Sequence, residues 1–356
     1  MQEIRVELTK HPKQKPAPDG PLPFGTVFTD HMFVMDYTEG KGWHDPRIVP
    51  YAPLQLDPAA IVLHYAQESF EGMKAYRTPG GTIQLFRPEK NAARFKSTHE
   101  RMCMPIVPEN DFVEAVKALV KTEKDWVPAK SGQSLYIRPF CIATEPHLGV
   151  KPSATYKFLI ICCPVGAYYP TGLNPVKIYV EDKYVRAAPG GTGYIKCGGN
   201  YAASLISQET AESLGYGQTL WLDGVERKYV EEVGSMNCFF KIDGTVYTAP
   251  TVGTVLPGVT RMSCIELLKK WGYKVSEARL PIVDVMKASR DGKLEEVFGT
   301  GTAAVISPVG ELRYEGEVAR INGGKIGEVT QKLYDTLTGI QWGRIPDNMG
   351  WITKVC

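Results

Sequence analysis

The chain has no apolar stretch long enough to cross a bilayer. Its longest, FLIICCPVGA, falls far short of the ~20 residues that a spanning helix needs. It also lacks an excess of either charge. Lys plus Arg number 41 and Asp plus Glu 39, a formal net charge of +2, so nothing marks a polyanion partner such as nucleic acid. The eight cysteines include no C-x-x-C pair, and most sit in apolar runs. They read as buried free thiols of a reducing compartment. The six histidines show no ligand spacing and no H-E-x-x-H, so no metal is expected. The opening MQEIRVELTKHPKQKPAPDG is polar and proline-containing, unlike a signal or transit peptide. A metal-free cytoplasmic protein, bound neither to nucleic acid nor to a membrane, is the default reading.

What is present is an ordinary globular composition, 43% hydrophobic and 22% charged over 356 residues, enough for one large or two ordinary domains. HMFVMDYTEG and RIVPYAPLQL look like strands. DPAAIVLHYAQ reads as a helix with an Asp N-cap and Pro at its first position. MKAYRTPGGTIQLFR reads as a hairpin turning at Pro79-Gly80-Gly81. RPEKNAARFKSTHERM looks helical from Pro88, and NDFVEAVKALVKTEKDWV carries Phe112, Val116, Leu119 and Val120 on one helical stripe. Two apolar strands follow, in QSLYIRPFCIAT and TYKFLIICCPV. GAYYPTGLNPV, rich in Gly, Pro and aromatics, is the best linker candidate. Beyond it short strands alternate with helices in AASLISQETAESLG, VTRMSCIELLKKWG and KIGEVTQKLYDTLTGI. With no regular βαβ rhythm, the pattern points to two mixed α/β or α+β domains: residues 1–165, a linker at 166–176, and 177–356.

The most informative stretch is GYIKCGGNYAASL, Gly193 to Leu205. A solvated surface lysine needs no glycine-rich surroundings. A lysine bonded covalently to a flat carbonyl cofactor does, because the backbone must stay clear of the cofactor. For amino-acid chemistry that cofactor is pyridoxal phosphate. It demands an anion site for its phosphate, a carboxylate for its ring nitrogen and a donor for its ring oxygen. TVLPGVTRMS places Val259 and Thr260 at the start of an amphipathic helix, where free N–H groups meet the positive dipole end. VFGTGTAA offers Thr302 in a second small-residue loop. Glu232 ends a strand-like run, and Tyr201 follows Lys196 by five residues. Taken singly, each has a plain structural alternative: a surface lysine, an ordinary turn or helix cap, and an ion-paired glutamate.

Their order along the chain is more telling. YIKCGGNYAASL, EEVGSMNCFF, LPGVTR and EVFGTGTAA resemble the branched-chain amino acid aminotransferases, fold-type-IV pyridoxal-phosphate enzymes. So do FGTVFTDHMF, HYAQESFEGMKAY, LFRPEKNAARF, LYIRPFCIATEPHLGV and CPVGAYYP. The resemblance runs from about Phe24 to WGRIPDN. It implies a small N-terminal α/β domain and a larger, β-rich C-terminal domain that binds the cofactor. It implies that Lys196 is the catalytic residue, holding the cofactor as an imine and then moving the substrate proton. Glu232 would pair with the ring nitrogen and Tyr201 with the ring oxygen. Arg94, Val259, Thr260 and Thr302 would bind the phosphate, with Arg186 near the phosphate or the lysine. Thr302, Ala303 and Ser235, helped by Tyr65 and Arg138, would meet the substrate, and Phe24, Phe70, Tyr136 and Tyr168 would line its side-chain pocket. In a homodimer, Leu148 and Val150 would close the partner's pocket.

The implied reaction is reversible ping-pong transfer of the amino group of Leu, Ile or Val to 2-oxoglutarate. A D-amino acid aminotransferase or an aminodeoxychorismate lyase of the same fold is the alternative; FEGMKAY and RPFCIATEPHLGV argue against both. A nucleotide-binding or regulatory protein is a third reading, but the chain has no G-K-[ST], and GTGYIKCGG is not a G-x-G-x-x-G fingerprint. Some family members carry a C-x-x-C redox switch after the GTGTA loop. Here Ala304 and Ser307 follow it, so no such switch is expected.

Overall fold

The computed structural model describes residues 2–17, 20–166, 168 and 173–356. The chain divides into two compact units. One comprises Met1–Tyr168, Lys196–Gly198 and Gly339–Cys356, the other Tyr169–Ile195 and Gly199–Thr338. Most of the expected linker, residues 167 and 169–172, lies outside the described residues.

The first unit contains β1 (Arg5–Val6), β2 (His31–Thr38), β3 (Gly42–Pro50), β4 (Glu68–Phe70), β5 (Met73–Arg77), β6 (Ile83–Phe86), β7 (Ser134–Ala143) and β8 (Thr155–Val165). They form one sheet in the order β1-β3-β2-β8-β7-β5-β6, with β4 alongside β7 and the C-terminal strand Ile352–Lys354 on the far edge. Its helices are α1 (Ile61–Tyr65), α2 (Pro88–Arg101) and α3 (Glu109–Thr122). The stripe on α3 is buried as its spacing predicts: Phe112, Val116, Leu119 and Val120 are all 0% exposed. The ring centroids of Phe95 on α2 and Phe112 on α3 lie 5.5 and 5.8 Å from that of Phe158 on β8, so one aromatic cluster ties both helices to the sheet. The β5–β6 hairpin turns as expected. Gly81 takes φ +85°, and Thr78 N–H donates to Thr82 O at 2.9 Å.

Three expectations need correction. The helix read from Asp57 is only one turn, Ile61–Tyr65, and begins without a side-chain cap. Asp57 instead accepts the Ala59 N–H at 2.8 Å in a local turn, the competing use of a short acidic side chain. The strand read into YAPLQL stops at Pro50, because prolines cannot donate to a ladder. Finally, residues 339–356 belong to the first unit. Their last strand pairs antiparallel with β6, and Trp342 Nε1 donates to Gln133 O at 3.0 Å. The first unit thus takes in the chain's tail.

The second unit contains β9 (Val176–Glu181), β10 (Gln218–Leu222), β11 (Val230–Val233), β12 (Met236–Ile242), β13 (Thr245–Thr248), β14 (Lys274–Glu277), β15 (Leu294–Gly301), β16 (Val305–Tyr314) and β17 (Glu317–Arg320). The sheet order is β11-β10-β9-β16-β15-β12-β13-β14, with β17 on β16. Because β12 also pairs with β11, the first six strands close on themselves as a small barrel. Leu220, Val180, Phe240, Val297 and Leu312 belong to its apolar core. The helices are α4 (Gly198–Ala202), α5 (Leu205–Ser213), α6 (Val259–Lys270), α7 (Ile282–Arg290) and α8 (Glu328–Gln341). As the sequence predicts, α6 is framed by Gly258 at its N-cap and by Gly272, at φ +82°, beyond its end. Among the described residues no helix is long and apolar enough to cross a membrane.

Phe112→Ala removes a fully buried ring from the first unit and is expected to cost about 3–5 kcal/mol, seen as a lower urea midpoint for that unit. Phe112→Leu, which keeps most of the volume, should cost less than half as much.

Candidate active site

Lys196 lies at a chain crossing, and its backbone is fixed on both sides by the first unit. Phe70 N–H on β4 donates to Lys196 O at 3.1 Å, and Lys196 N–H donates to Thr98 Oγ1 on α2 at 3.1 Å. Gly198 N–H donates to Glu68 Oε1. The lysine is largely buried. Its Nζ lies 4.6 Å from the Phe70 ring centroid. Burial pushes its ammonium down to about 8, Arg94 adds repulsion, and Glu71 opposes both. A lysine so poised is neutral far more often at neutral pH than an ordinary one.

Glu71 is 0% exposed. Arg94 grips it with two hydrogen bonds, Nε to Oε1 at 2.7 Å and Nη2 to Oε2 at 2.8 Å, and Asn91 Nδ2 donates to Oε2 at 2.7 Å. Burial alone would raise its pKa. Arg94 outweighs that and holds the carboxyl below its usual range. Asn91 and Arg94 stand three residues apart on α2, one face of a helix turned toward one carboxylate.

The aromatic residues gather beside this pair. Tyr136 meets Phe24 edge to face at 4.8 Å, and the Arg138 guanidinium lies 4.8 Å from the Phe70 centroid. Arg138 Nη2 donates to Tyr136 OH at 2.9 Å, while Arg138 Nε is buried with no partner among the described residues. A Cβ at Gly72 would lie 2.3 Å from Tyr136 OH, so any larger residue there would have to push that ring aside. Tyr65 stands apart and donates to Leu148 O at 2.5 Å. Leu148 and Val150 are exposed apolar residues, at 64% and 84%, and Tyr168 is exposed too.

In the second unit Glu232 is 4% exposed and organises its own neighbourhood. Its Oε2 pairs with Arg186 Nη2 at 2.7 Å. Its Oε1 accepts Leu256 N–H at 2.7 Å and Asn237 Nδ2 at 3.1 Å. Arg186 also donates to Gly193 O at 3.0 Å and Thr254 O at 3.0 Å. These carbonyls and Glu232 are thus its partners. Its Nε is buried without a partner among the described residues. Tyr201, Ser204, Ser235 and Leu256 share a cleft with Arg186 and Glu232. Asn200 braces the glycine-rich loop, donating to Thr192 O at 2.7 Å and Ile195 O at 3.0 Å.

Both expected anion loops have a definite local geometry. Helix α6 opens at Val259 with no side-chain cap, so its first N–H groups are left to another acceptor. Asn237 also donates to Leu256 O at 2.9 Å, which ties the start of α6 to the Glu232 carboxylate. Thr302 and Ala303 sit in the turn between β15 and β16. That turn ends on Val305 at φ +62°, a left-handed backbone that costs a β-branched residue about 1–3 kcal/mol and marks sites under functional constraint.

Sequence reasoning missed Glu71, Asn91, Thr98, Asn200, Asn237 and Thr254. Their one visible signal is polar residues set among glycines and apolar runs, as in SFEGM and GGN. What each one holds depends on partners distant in the chain.

The chain is similar to known proteins along nearly its whole length. Branched-chain-amino-acid aminotransferase 2 of Bacillus subtilis (strain 168) is 58% identical over 99% of this chain and 97% of its own. The solved branched-chain amino acid aminotransferase of Escherichia coli is 26% identical at a TM-score of 0.73, covering 91% of this chain and 99% of that one. A T.th. branched-chain amino acid aminotransferase solved with pyridoxamine 5'-phosphate is 27% identical at a TM-score of 0.75, over 91% of this chain and 98% of its own. The family pattern of class IV amino-transferases matches residues 68–312, from the strand that pins Lys196 through the barrel and past Thr302. With a match of that extent and a relative this similar, the chain belongs to the class IV amino-transferase family.

Proposed function

We propose that this chain reversibly transfers the amino group of a branched-chain L-amino acid to 2-oxoglutarate, with pyridoxal phosphate carried on Lys196. The observation that bears most weight is the Lys196 ammonium, pushed down to about 8 by burial and held by backbone bonds on both sides. The Bacillus relative, alike along nearly its whole length, supports the same substrates.

The residues fit the cofactor. The uncapped start of α6 and the turn at Thr302 suit a phosphate. Arg94 is the cation assigned to it, and the grip of Glu71 on one edge of the guanidinium fixes the direction of the other. Glu232, paired with Arg186, suits a protonated ring nitrogen, and Tyr201 is assigned to the ring oxygen. When bound, the cofactor supplies an aldehyde that takes up the amino group and a ring that draws electrons from the substrate Cα.

The chain's own residues do the rest. Lys196 Nζ, neutral in part at physiological pH, accepts the proton from Cα and returns it on the other side of the exchange. The N–H groups of Thr302 and Ala303, with Ser235 and Tyr65, are assigned to the substrate carboxylate. Phe24, Phe70, Tyr136 and Tyr168 exclude water and take the aliphatic side chain. Arg138, with a buried unpartnered Nε and a bond to the Tyr136 hydroxyl, offers donors to the second carboxylate of glutamate. The exposed Leu148 and Val150 fit a homodimer in which this loop covers the partner's pocket.

L-leucine with 2-oxoglutarate should yield glutamate and the branched 2-oxo acid, and D-alanine should not. Turnover of D-alanine alone would place the chain with the D-amino acid enzymes of this fold. Lys196→Ala should lower L-leucine turnover by ~10³-fold or more, and borohydride reduction followed by peptide mapping should label position 196 in the unmutated chain. In cofactor-stripped protein, acylation of Lys196 should rise with pH and level off once the amine is neutral, above about 8. Exposed lysines continue to climb toward 10.5, and a Lys196 profile that climbs with them would contradict the depressed ammonium.

A further inference from the structure

Strand β4 is three residues long, and its ladder with β7 runs without a slip: Glu68 opposite Ile142, Ser69 opposite Cys141, Phe70 opposite Phe140. Residues paired across an antiparallel ladder share a face, and alternate residues of a strand return to it. Ser69 turns toward α2, where its Oγ bonds His99 Nε2 at 2.7 Å. Glu68 and Phe70 therefore lie on the other face, with Tyr136, Arg138 and Phe140 of β7. The contacts agree. The Arg138 guanidinium lies 4.8 Å from the Phe70 centroid, and Arg138 Nη2 donates to Tyr136 OH at 2.9 Å.

Strands β4, β5 and β7 together hold one carboxylate, Glu68. The cations of these strands on its face are Arg138 and Lys74, the latter opposite Tyr136 in the β5–β7 ladder. Glu68 is half-buried. Its Oε1 accepts Gly198 N–H from the segment that follows Lys196. Gly198 leaves room for this approach, since a Cβ there would overlap Oε1. Burial raises the Glu68 carboxyl above the usual range, against the Gly198 bond and the Arg138 charge. In such a place opposite charges are screened less than on an open surface.

Two kinds of substrate make conflicting demands on Arg138. An aliphatic side chain packed beside an uncompensated guanidinium takes water from that charge and offers no bond in return. A second carboxylate pairs with it. A carboxylate of the protein nearby reduces the first cost and weakens the second attraction, so the two affinities move closer together.

We propose that Glu68 is a specificity-determining residue: held by Gly198 N–H on the face of Arg138, its carboxylate partly offsets the guanidinium charge, so that one pocket serves both a branched aliphatic side chain and a dicarboxylate. This role rests on the reading in which Arg138 meets the second carboxylate of glutamate.

Glutarate and 4-methylpentanoate mimic the two substrates and have neither the amino nor the keto group, so they bind without reacting. Each is titrated calorimetrically into the full chain loaded with pyridoxal phosphate. Glu68→Gln keeps an amide oxygen for Gly198 N–H and removes the charge. It should tighten glutarate about threefold or more and leave 4-methylpentanoate no tighter. The KM for 2-oxoglutarate should fall in step, and that for L-leucine should not. Glu68→Ala removes both charge and acceptor and should show the same selective tightening, which serves if Glu68→Gln folds poorly. An unchanged glutarate affinity in the variant that folds overturns the proposal, as does equal tightening of both ligands. Arg138→Gln tells the two failures apart. Should it weaken glutarate well beyond 4-methylpentanoate while Glu68→Gln is neutral, Arg138 keeps its place and Glu68 loses its own. Should it weaken both ligands alike, the second carboxylate is met elsewhere, and both assignments fall.

Discussion

A carboxylate taken out of water must be paired, and two such carboxylates set the layout of the residues around them. Glu71 in the first unit is fully buried against Arg94, and Glu232 in the second is nearly so against Arg186. Each pair recruits further donors. Asn91 joins the first, and Asn237 with the Leu256 N–H joins the second. Removing either arginine would strand a charge in a poorly solvated place, which costs far more than the net worth of the pair.

Lys196 shows the same balance in reverse. Its ammonium is largely removed from water and sits near the Arg94 cation, with Glu71 the opposing charge. Glu71 is already committed to Arg94, so its attraction for the lysine is partly spent. The amine therefore gives up its proton more readily than a solvated lysine would, which is what a nucleophile and proton carrier requires. Main-chain bonds from β4 and to α2 hold the residue in place, leaving the side chain available for chemistry.

Strand β11 carries two glutamates with different surroundings. Glu232 pairs with Arg186 and accepts from Leu256 N–H and Asn237. Glu231 accepts the Thr254 hydroxyl at one oxygen, and its other oxygen is buried without a partner among the described residues. Thr254 touches both neighbourhoods: its hydroxyl donates to Glu231, and its carbonyl accepts from Arg186.

Local rules made much of this chain legible before any coordinates. The α3 stripe, the Pro79-Gly80-Gly81 turn, Pro88 at the start of α2 and the glycines framing α6 follow from periodicity and backbone preference, which depend only on near neighbours. Lys196, Glu232 and the start of α6 stood out for the same reason, as residue types set in unusual local company. The sequence could not reveal that Glu71 is the partner of Arg94, that Arg186 serves Glu232, or that the last strand returns to β6. Nor could it show that Asp57 would cap a turn and not a helix. Those outcomes come from segments far apart in sequence competing for the same few hydrogen bonds, and only the closed tertiary structure decides which of them win.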